Sequence, residues 1–227
     1  MLVSGFAAGP WATNCWIAAS AKGSECIVID PGLDSIELLK TRLAENGLKP
    51  VAVLLTHGHI DHMWSVTPVA DGYDIPAFIH ASDRHLISDP LAGVGLQAQG
   101  LVSQLGAEFV EPSRLEVFSQ ATTLEIAGLS IQIEPAPGHT QGSVIFRLNA
   151  AADSGPRMFS GDVLFKGSIG RTDLPGGNHE TMLHSLSSVI LPSNPETVVH
   201  CGHGPDTTIK SELAQNPYLQ ALMKESK

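Results

Sequence analysis

Apolar and polar positions alternate along most of this chain, and the alternation marks strands more often than helices. Short apolar or β-branched runs bounded by turn residues predict strands at Asn14 to Ala19, Cys26 to Asp30, Val51 to Thr56, Ala77 to His80 and Thr122 to Ile126. Four more follow at Ser130 to Glu134, Ser143 to Leu148, Arg157 to Ser160 and Thr197 to His200. Two stretches carry the helical period instead. Asp34 to Asn46 places Ile36, Leu38, Leu39 and Leu43 at helical spacing and stops at Asn46-Gly47, while Asn178 caps a helix carrying Met182, Leu183, Leu186 and Ile190 that ends before Pro192. Strands in both halves with helices between them predict an α/β layered domain rather than a helical bundle. Asp89 to Ser113, rich in Gly, Ala and Gln, reads only as a short helix and a mobile flap.

Composition narrows the class. At 227 residues and 43% hydrophobic content the chain suits one domain over 1–227 with a substantial core. A formal charge of −10 with no local run of Lys and Arg opposes a nucleic-acid backbone, so no nucleic-acid partner is expected. The N-terminal Met1-Leu2-Val3-Ser4-Gly5-Phe6 lacks a basic flank, and no apolar run reaches the roughly 18 residues of a membrane span. A cytoplasmic protein without a membrane partner is the expectation. Cys15, Cys26 and Cys201 are odd in number, far apart and without a CxxC pair, which predicts reduced thiols.

The chemistry concentrates at His57-Gly58-His59-Ile60-Asp61-His62, directly after the apolar run Val51 to Leu55. Three imidazoles and a carboxylate in six residues suit one or two divalent transition metals once other ligands complete the set. Partners stand in glycine-containing turns after further strand signals: His139 in Pro137-Gly138-His139-Thr140, Asp162 in Ser160-Gly161-Asp162 and His203 in Gly202-His203-Gly204. His80, His85, His179, His184 and His200 lack ligand spacing to the cluster and read as structural or solvent-facing, His179 being the one placed to line the cleft. Asp30, a carboxylate after a buried strand, is a candidate to orient a liganding imidazole.

The order His-x-His-x-Asp-His, then His, Asp and His at increasing distance, resembles the metallo-β-lactamase superfamily from Val28-Ile29-Asp30-Pro31-Gly32 to Gly202-His203-Gly204. The resemblance implies a four-layer αββα sandwich with the site at the strand ends along one edge. Carried over by position, His57, His59 and His139 would bind one metal and Asp61, His62 and His203 another, with Asp162 bridging. Two divalent ions are implied, zinc first, with iron or manganese as alternatives. Two dications with Asp61, Asp162 and a bridging hydroxide leave a net charge of about +1, a locally positive pocket in an acidic protein.

Gly161-Asp162-Val163-Leu164-Phe165 and the stretch from Gly167 to Gly177 look like the short bacterial glyoxalase II-type hydrolases, which cleave thioesters such as S-lactoylglutathione. The chain departs from the full-length type: little follows His203 where a helical domain would be, and Asp173 stands where a glutathione-contacting tyrosine is expected. Arg171 takes the place of a glutathione-contacting lysine. The thiol is thus open between glutathione and another cofactor thiol. The implied reaction is attack by a metal-bridging hydroxide on a small-molecule thioester, with Asp61 and Asp162 positioning the hydroxide, and Arg171 and Lys166 meeting a substrate carboxylate. The thiolate leaves readily because thiol pKa values lie near about 8.5. A rival is a persulfide dioxygenase, whose relatives also carry a Gly-Arg-Thr-Asp stretch. His57, His139 and Asp162 would then hold one Fe(II). A metal-binding module without turnover is the third reading.

Overall fold

The computed structural model describes residues 1–95, 99–100, 108–148 and 155–225. Two six-stranded sheets form its centre. The first joins β1 (Leu2–Ala8), β2 (Thr13–Ala19), β3 (Glu25–Ile29), β4 (Lys49–Leu54), β5 (Ala77–His80) and β6 (Leu115–Phe118) in sequence order. β1 to β3 run antiparallel and β3 to β6 parallel. The second is built from β7 (Thr122–Ile126), β8 (Leu129–Pro135), β9 (Val144–Leu148), β10 (Arg157–Gly161), β13 (Val198–Cys201) and β14 (Thr207–Thr208), in the order β14-β13-β10-β9-β8-β7. Between β10 and β13 the short hairpin of β11 (Leu164–Phe165) and β12 (Ser168–Ile169) stands apart.

Side-chain parity along the strands sorts the core into three apolar layers. On β2, β3 and β4, Ile17, Cys26, Val28 and Val53 face helices α1 (Ile36–Asn46) and α3 (Val66–Tyr73), packing on Leu39, Leu43, Val66 and Val69. The alternate residues Ala18, Ile27, Ile29, Ala52 and Leu54 point the other way, into Ile131, Ile133, Phe146 and Phe159 of the second sheet. The outer face of that sheet presents Ile145, Met158 and Val199 to Met182 and Leu186. Met182 belongs to α5 (His179–Ser185), after the small helices α2 (Ile60–Met63) and α4 (His85–Ser88) in chain order, and Ile209 and Leu219 of α6 (Ile209–Gln215) and α7 (Pro217–Glu225) complete the third layer. Helix, sheet, sheet and helix are therefore the layers the resemblance implies.

The nine expected strands all form, two with the expected ends and the others with ends displaced by one or two residues. Gly47 closes α1 in the left-handed conformation, its amide bonded to Ala44 O and Leu43 O, and Asn178 caps α5 by accepting from Thr181 N at 2.8 Å. Regular α-helix stops earlier than expected, at Ser185, and continues as a π-helical stretch Leu186–Ile190. β1, β6, β14, the β11–β12 hairpin and helices α2, α3, α4, α6 and α7 were not expected from the pattern. Of Asp89 to Ser113, the segment expected to hold a short helix and a flap, residues 96–98 and 101–107 lie outside the described residues, and a 3₁₀ turn at Pro90–Gly93 is described. No helix among the described residues is long and apolar enough to cross a membrane.

Candidate metal centre

Strand ends on one edge of the sandwich, with the loop and short helix α2 that follow β4 and carry His59, Asp61 and His62, supply the donors. β3 ends into Asp30, β4 into Thr56 and His57, β8 into the turn bearing His139, β10 into Asp162 and β13 into His203. Asp30 holds a left-handed backbone (φ 52°), uncommon outside glycine, which is a local strain found where a side chain must be aimed. Its Oδ1 accepts from Thr56 N at 2.8 Å. Its Oδ2 accepts from Thr56 Oγ1 at 2.6 Å and from His62 Nδ1 at 2.9 Å. The expected orienting role of Asp30 is thus visible in the geometry. Close approach is also built into the backbone, because a Cβ on Gly202 would collide with Asp162 Oδ1 and His62 Cε1.

The seven proposed ligands converge. His57, His59 and His139 form one group with donor atoms within 4.8 Å of one another; Asp61, His62 and His203 form a second; His57, His62 and Asp162 span the two. Asp162 stands between them, its Oδ1 3.3 Å from His62 Nε2 and its Oδ2 3.6 Å from His139 Nε2 and 3.5 Å from His203 Nε2. Asp61 Oδ2 lies 3.1 Å from His203 Nε2 and accepts from Thr13 Oγ1 at 2.9 Å.

The outer partners fix which ring nitrogen faces inward. His139 Nδ1 donates to Arg171 O at 2.7 Å, His203 Nδ1 to Trp11 O at 3.1 Å and His62 Nδ1 to Asp30. Thr56 Oγ1 gives its proton to Asp30 and accepts from His57 Nδ1 at 3.1 Å. Four Nε2 lone pairs are left aimed at the centre, and His59 offers Nδ1, 2.8 Å from His139 Nε2. His62 and His203 bring their Nε2 atoms to 3.3 Å. Lone pairs held this close repel unless a cation lies among them. His57 Nε2 and Asp162 Oδ1 are buried with no hydrogen-bond partner, and so is His59 Nε2. A buried polar atom without a partner costs on the order of 1–3 kcal/mol, and a divalent ion among these donors removes that penalty at His57 and Asp162. The donor set fits the metals that the sequence implies.

Electrostatics divide the two groups. Burial and the surrounding imidazoles push His57 well below the ordinary histidine range, and burial with the His139 ring brings His59 down to about 3. Burial also lowers His62, but the carboxylates of Asp61, Asp162 and Asp30 outweigh it and raise that ring well above its usual value. His203 is raised by its bond to Asp61 and the charge of Asp162, again against burial. Asp61 and Asp162 are held below the usual carboxylate range, chiefly by His62, although burial alone would raise them.

A cavity of about 270 Å³ opens over the donors, lined by Trp11, Ile60, Val94, Leu174 and Arg171 beside the ligands themselves. The Arg171 guanidinium makes two 2.7 Å bonds to the carboxylate of Asp173. Lys166 sits exposed in the turn of the β11–β12 hairpin and is not among the residues that line this cavity. His80 and His200 are buried structural rings; His200 stacks on Phe159 and bonds Asp206 at 3.0 Å. His85, His179 and His184 are exposed, and His179 is not among the residues lining this cavity. Cys15, Cys26 and Cys201 are free and buried. One residue at the centre escaped the sequence reading: Asp83, whose carboxylate bonds both ligand-bearing loops of the first group. No spacing to the histidine cluster marks it in the sequence, since it stands in the turn Ala81–Asp83 after β5 and gains its partners only from the fold.

Comparison with known proteins accords with this geometry. The family model of the metallo-beta-lactamase superfamily matches residues 8–203. A Mycobacterium tuberculosis protein of uncharacterised function is 42% identical over 99% of this chain and 100% of its own length. A probable metallo-hydrolase of Bacillus subtilis, YqgX, is 34% identical over 94% of this chain and 95% of its own. The hydroxyacylglutathione hydrolase GloC of Haemophilus influenzae is 33% identical over 86% of this chain and 87% of its own. Among solved structures, the BLEG-1 B3 metallo-beta-lactamase superposes with a TM-score of 0.81 at 36% identity, covering 96% of this chain and 99% of that one. The di-iron-bound form of TTHA1623 gives 0.75 at 34%, covering 95% and 100%. ETHE1 from Myxococcus xanthus, at 0.74 and 21% identity over 100% of this chain and 92% of that one, shares the fold. The chain belongs to the metallo-β-lactamase superfamily.

Proposed function

We propose that the protein is a dinuclear metal-dependent hydrolase of small-molecule thioesters, with zinc the first choice of ion. The observation that carries this reading is the pair of donor groups sharing Asp162, since one tetrahedral ion needs only about four ligands. Two divalent ions held there would acidify a water and polarise the acyl carbonyl. The chain's own contribution is orientation and exclusion. Asp162 lies between the groups and Asp61 is anchored by Thr13, so both carboxylates face the place where a hydrolytic water must stand. Trp11, Ile60, Val94 and Leu174 give the acyl group an apolar wall that keeps bulk water off the reacting bond. No side chain is required to protonate the leaving thiolate, a weak base because its conjugate thiol ionises near pH ~8.5. The likeness to the hydroxyacylglutathione hydrolase GloC supports the substrate class.

The Fe(II) persulfide dioxygenase remains a second reading because His57, His139 and Asp162 do approach one another. It leaves Asp61 and His203, which complete the second donor group, without a purpose. The test is a paired assay of the metal-loaded protein. Thiol release from S-lactoylglutathione and other hydroxyacyl thioesters, with about two ions per chain and no oxygen uptake, is expected; RNA should remain uncut. Oxygen-dependent sulfite formation from a persulfide, with one iron per chain and no thiol release, would replace this reading by the rival.

A further inference from the structure

Asp83 lies outside every motif that marks the metal centre, yet it joins the two loops that supply the first donor group. It ends the 3₁₀ turn Ala81–Asp83 after β5 and is 1% exposed. Its Oδ2 accepts at 2.9 Å from Gly58 N, the amide between His57 and His59. The same oxygen accepts at 2.6 Å from Thr140 Oγ1, the hydroxyl beside His139, and Oδ1 accepts at 2.7 Å from Gly142 N. The seat is tight. A Cβ on Gly142 would lie 2.5 Å from Asp83 Cγ, and one on Gly58 would lie 2.9 Å from Asp83 O, so neither glycine could carry a side chain without displacing Asp83.

The second donor group has different supports. His62 leans on Asp30, His203 on Trp11 O and Asp61 on Thr13. None of the three bonds made by the Asp83 carboxylate reaches that group. His59 and His139 are 80 residues apart in the chain, and their ring nitrogens meet at 2.8 Å. Fixing both loops to one carboxylate removes their freedom to separate, and outer partners of this kind tune metal affinity by about 10–100-fold.

We infer that Asp83 is a positioning residue dedicated to the first donor group: it clamps the His57–His59 loop to the His139 loop and so sets the affinity for the ion held there. The inference rests on the metal-centre reading. Asp83→Asn keeps the volume but replaces one acceptor oxygen with an NH₂ donor, which forces a backbone N–H of Gly58 or Gly142 to face another N–H. The measurement is zinc affinity by competition with a chromogenic chelator in two backgrounds. His203→Ala leaves the first group complete, and His139→Ala leaves the second complete.

Asp83→Asn should weaken zinc binding about 10–100-fold in the His203→Ala background and by less than about twofold in the His139→Ala background. Thr140→Val, which removes one of the three bonds and retains the carboxylate, should give a smaller loss with the same asymmetry; it decides the matter if Asp83→Asn does not fold. Equal weakening in both backgrounds, as a general loosening of the fold would produce, overturns the inference. So does unchanged affinity in both. A wild-type protein that takes up no zinc would overturn the metal-centre reading and this inference together, whereas a wild type holding two ions with symmetric variants overturns this inference alone.

Discussion

Arg171 serves the centre in two separate ways. Its backbone carbonyl fixes the His139 ring, and its guanidinium lies at the cavity rim in a two-bond pair with Asp173. The pair raises Arg171 and, chiefly through the hydrogen bond, holds Asp173 down to about 2. Both side chains are mostly solvent-exposed, at 60% and 68%, so water screens the pair and it contributes little to stability. Under the proposed thioesterase reading its place is in substrate choice. Arg171→Ala retains the carbonyl, so kcat should survive while KM for a carboxylate-bearing thioester rises severalfold; an uncharged thioester should be unaffected. Asp173→Asn frees the guanidinium and should lower that same KM. Steady-state kinetics with both substrates separate the cases, and a fall in kcat for Arg171→Ala would mean that the side chain also steadies the His139 contact.

Among the elements, β2 and β3 each bury a thiol towards α1. Burial pushes Cys26 up to about 12 and, with the nearby charge of Asp30, raises Cys15 well above its usual value. A thiol with a raised folded-state pKa keeps its proton when the unfolded chain has lost it. Stability from these groups is therefore complete below about pH 8.5 and declines as pH rises towards 12. Urea midpoints taken from pH 7.5 to 10.5 should fall at the alkaline end, and Cys26→Ala should flatten that fall; parallel profiles for the two proteins would count against the argument. The strands that carry these thiols were legible because each alternates between two buried layers, Cys26 and Val28 to one side, Ile27 and Ile29 to the other. β1 and β6 were not, for they are the edge strands of the first sheet and most of their residues are only partly buried. Helices α6 and α7 are short, and the pattern after His203 gave too few turns to read. At the site the histidines announced themselves by spacing. Asp83 did not, because a lone acidic residue in a turn has no pattern until the fold brings Gly58 and Thr140 to it.

At the scale of the whole molecule, the centre is where the two sheets are tied together. Thr13 bridges to His203, Asn14 N donates to Gly202 O at 2.7 Å, and the Asn14 side chain donates to Cys201 O and Gly204 O. The donor pairs reach across the chain as well, 80 residues between His59 and His139 and 141 between His62 and His203. Such separations have a consequence in time. Neither group is complete until chain from both halves has docked, so the loops must close and lose their entropy before a metal ion can meet its full donor set. Contacts absent from the transition state act on the rate of leaving the native state. In stopped-flow experiments zinc should therefore leave the refolding rate nearly unchanged and slow unfolding, and chelation before dilution into denaturant should restore the fast escape. A refolding rate that climbs with zinc concentration would place the ion in the nucleus instead. An ion held there would be a latch set after the door has closed, governing how long the native protein lasts rather than how quickly it forms.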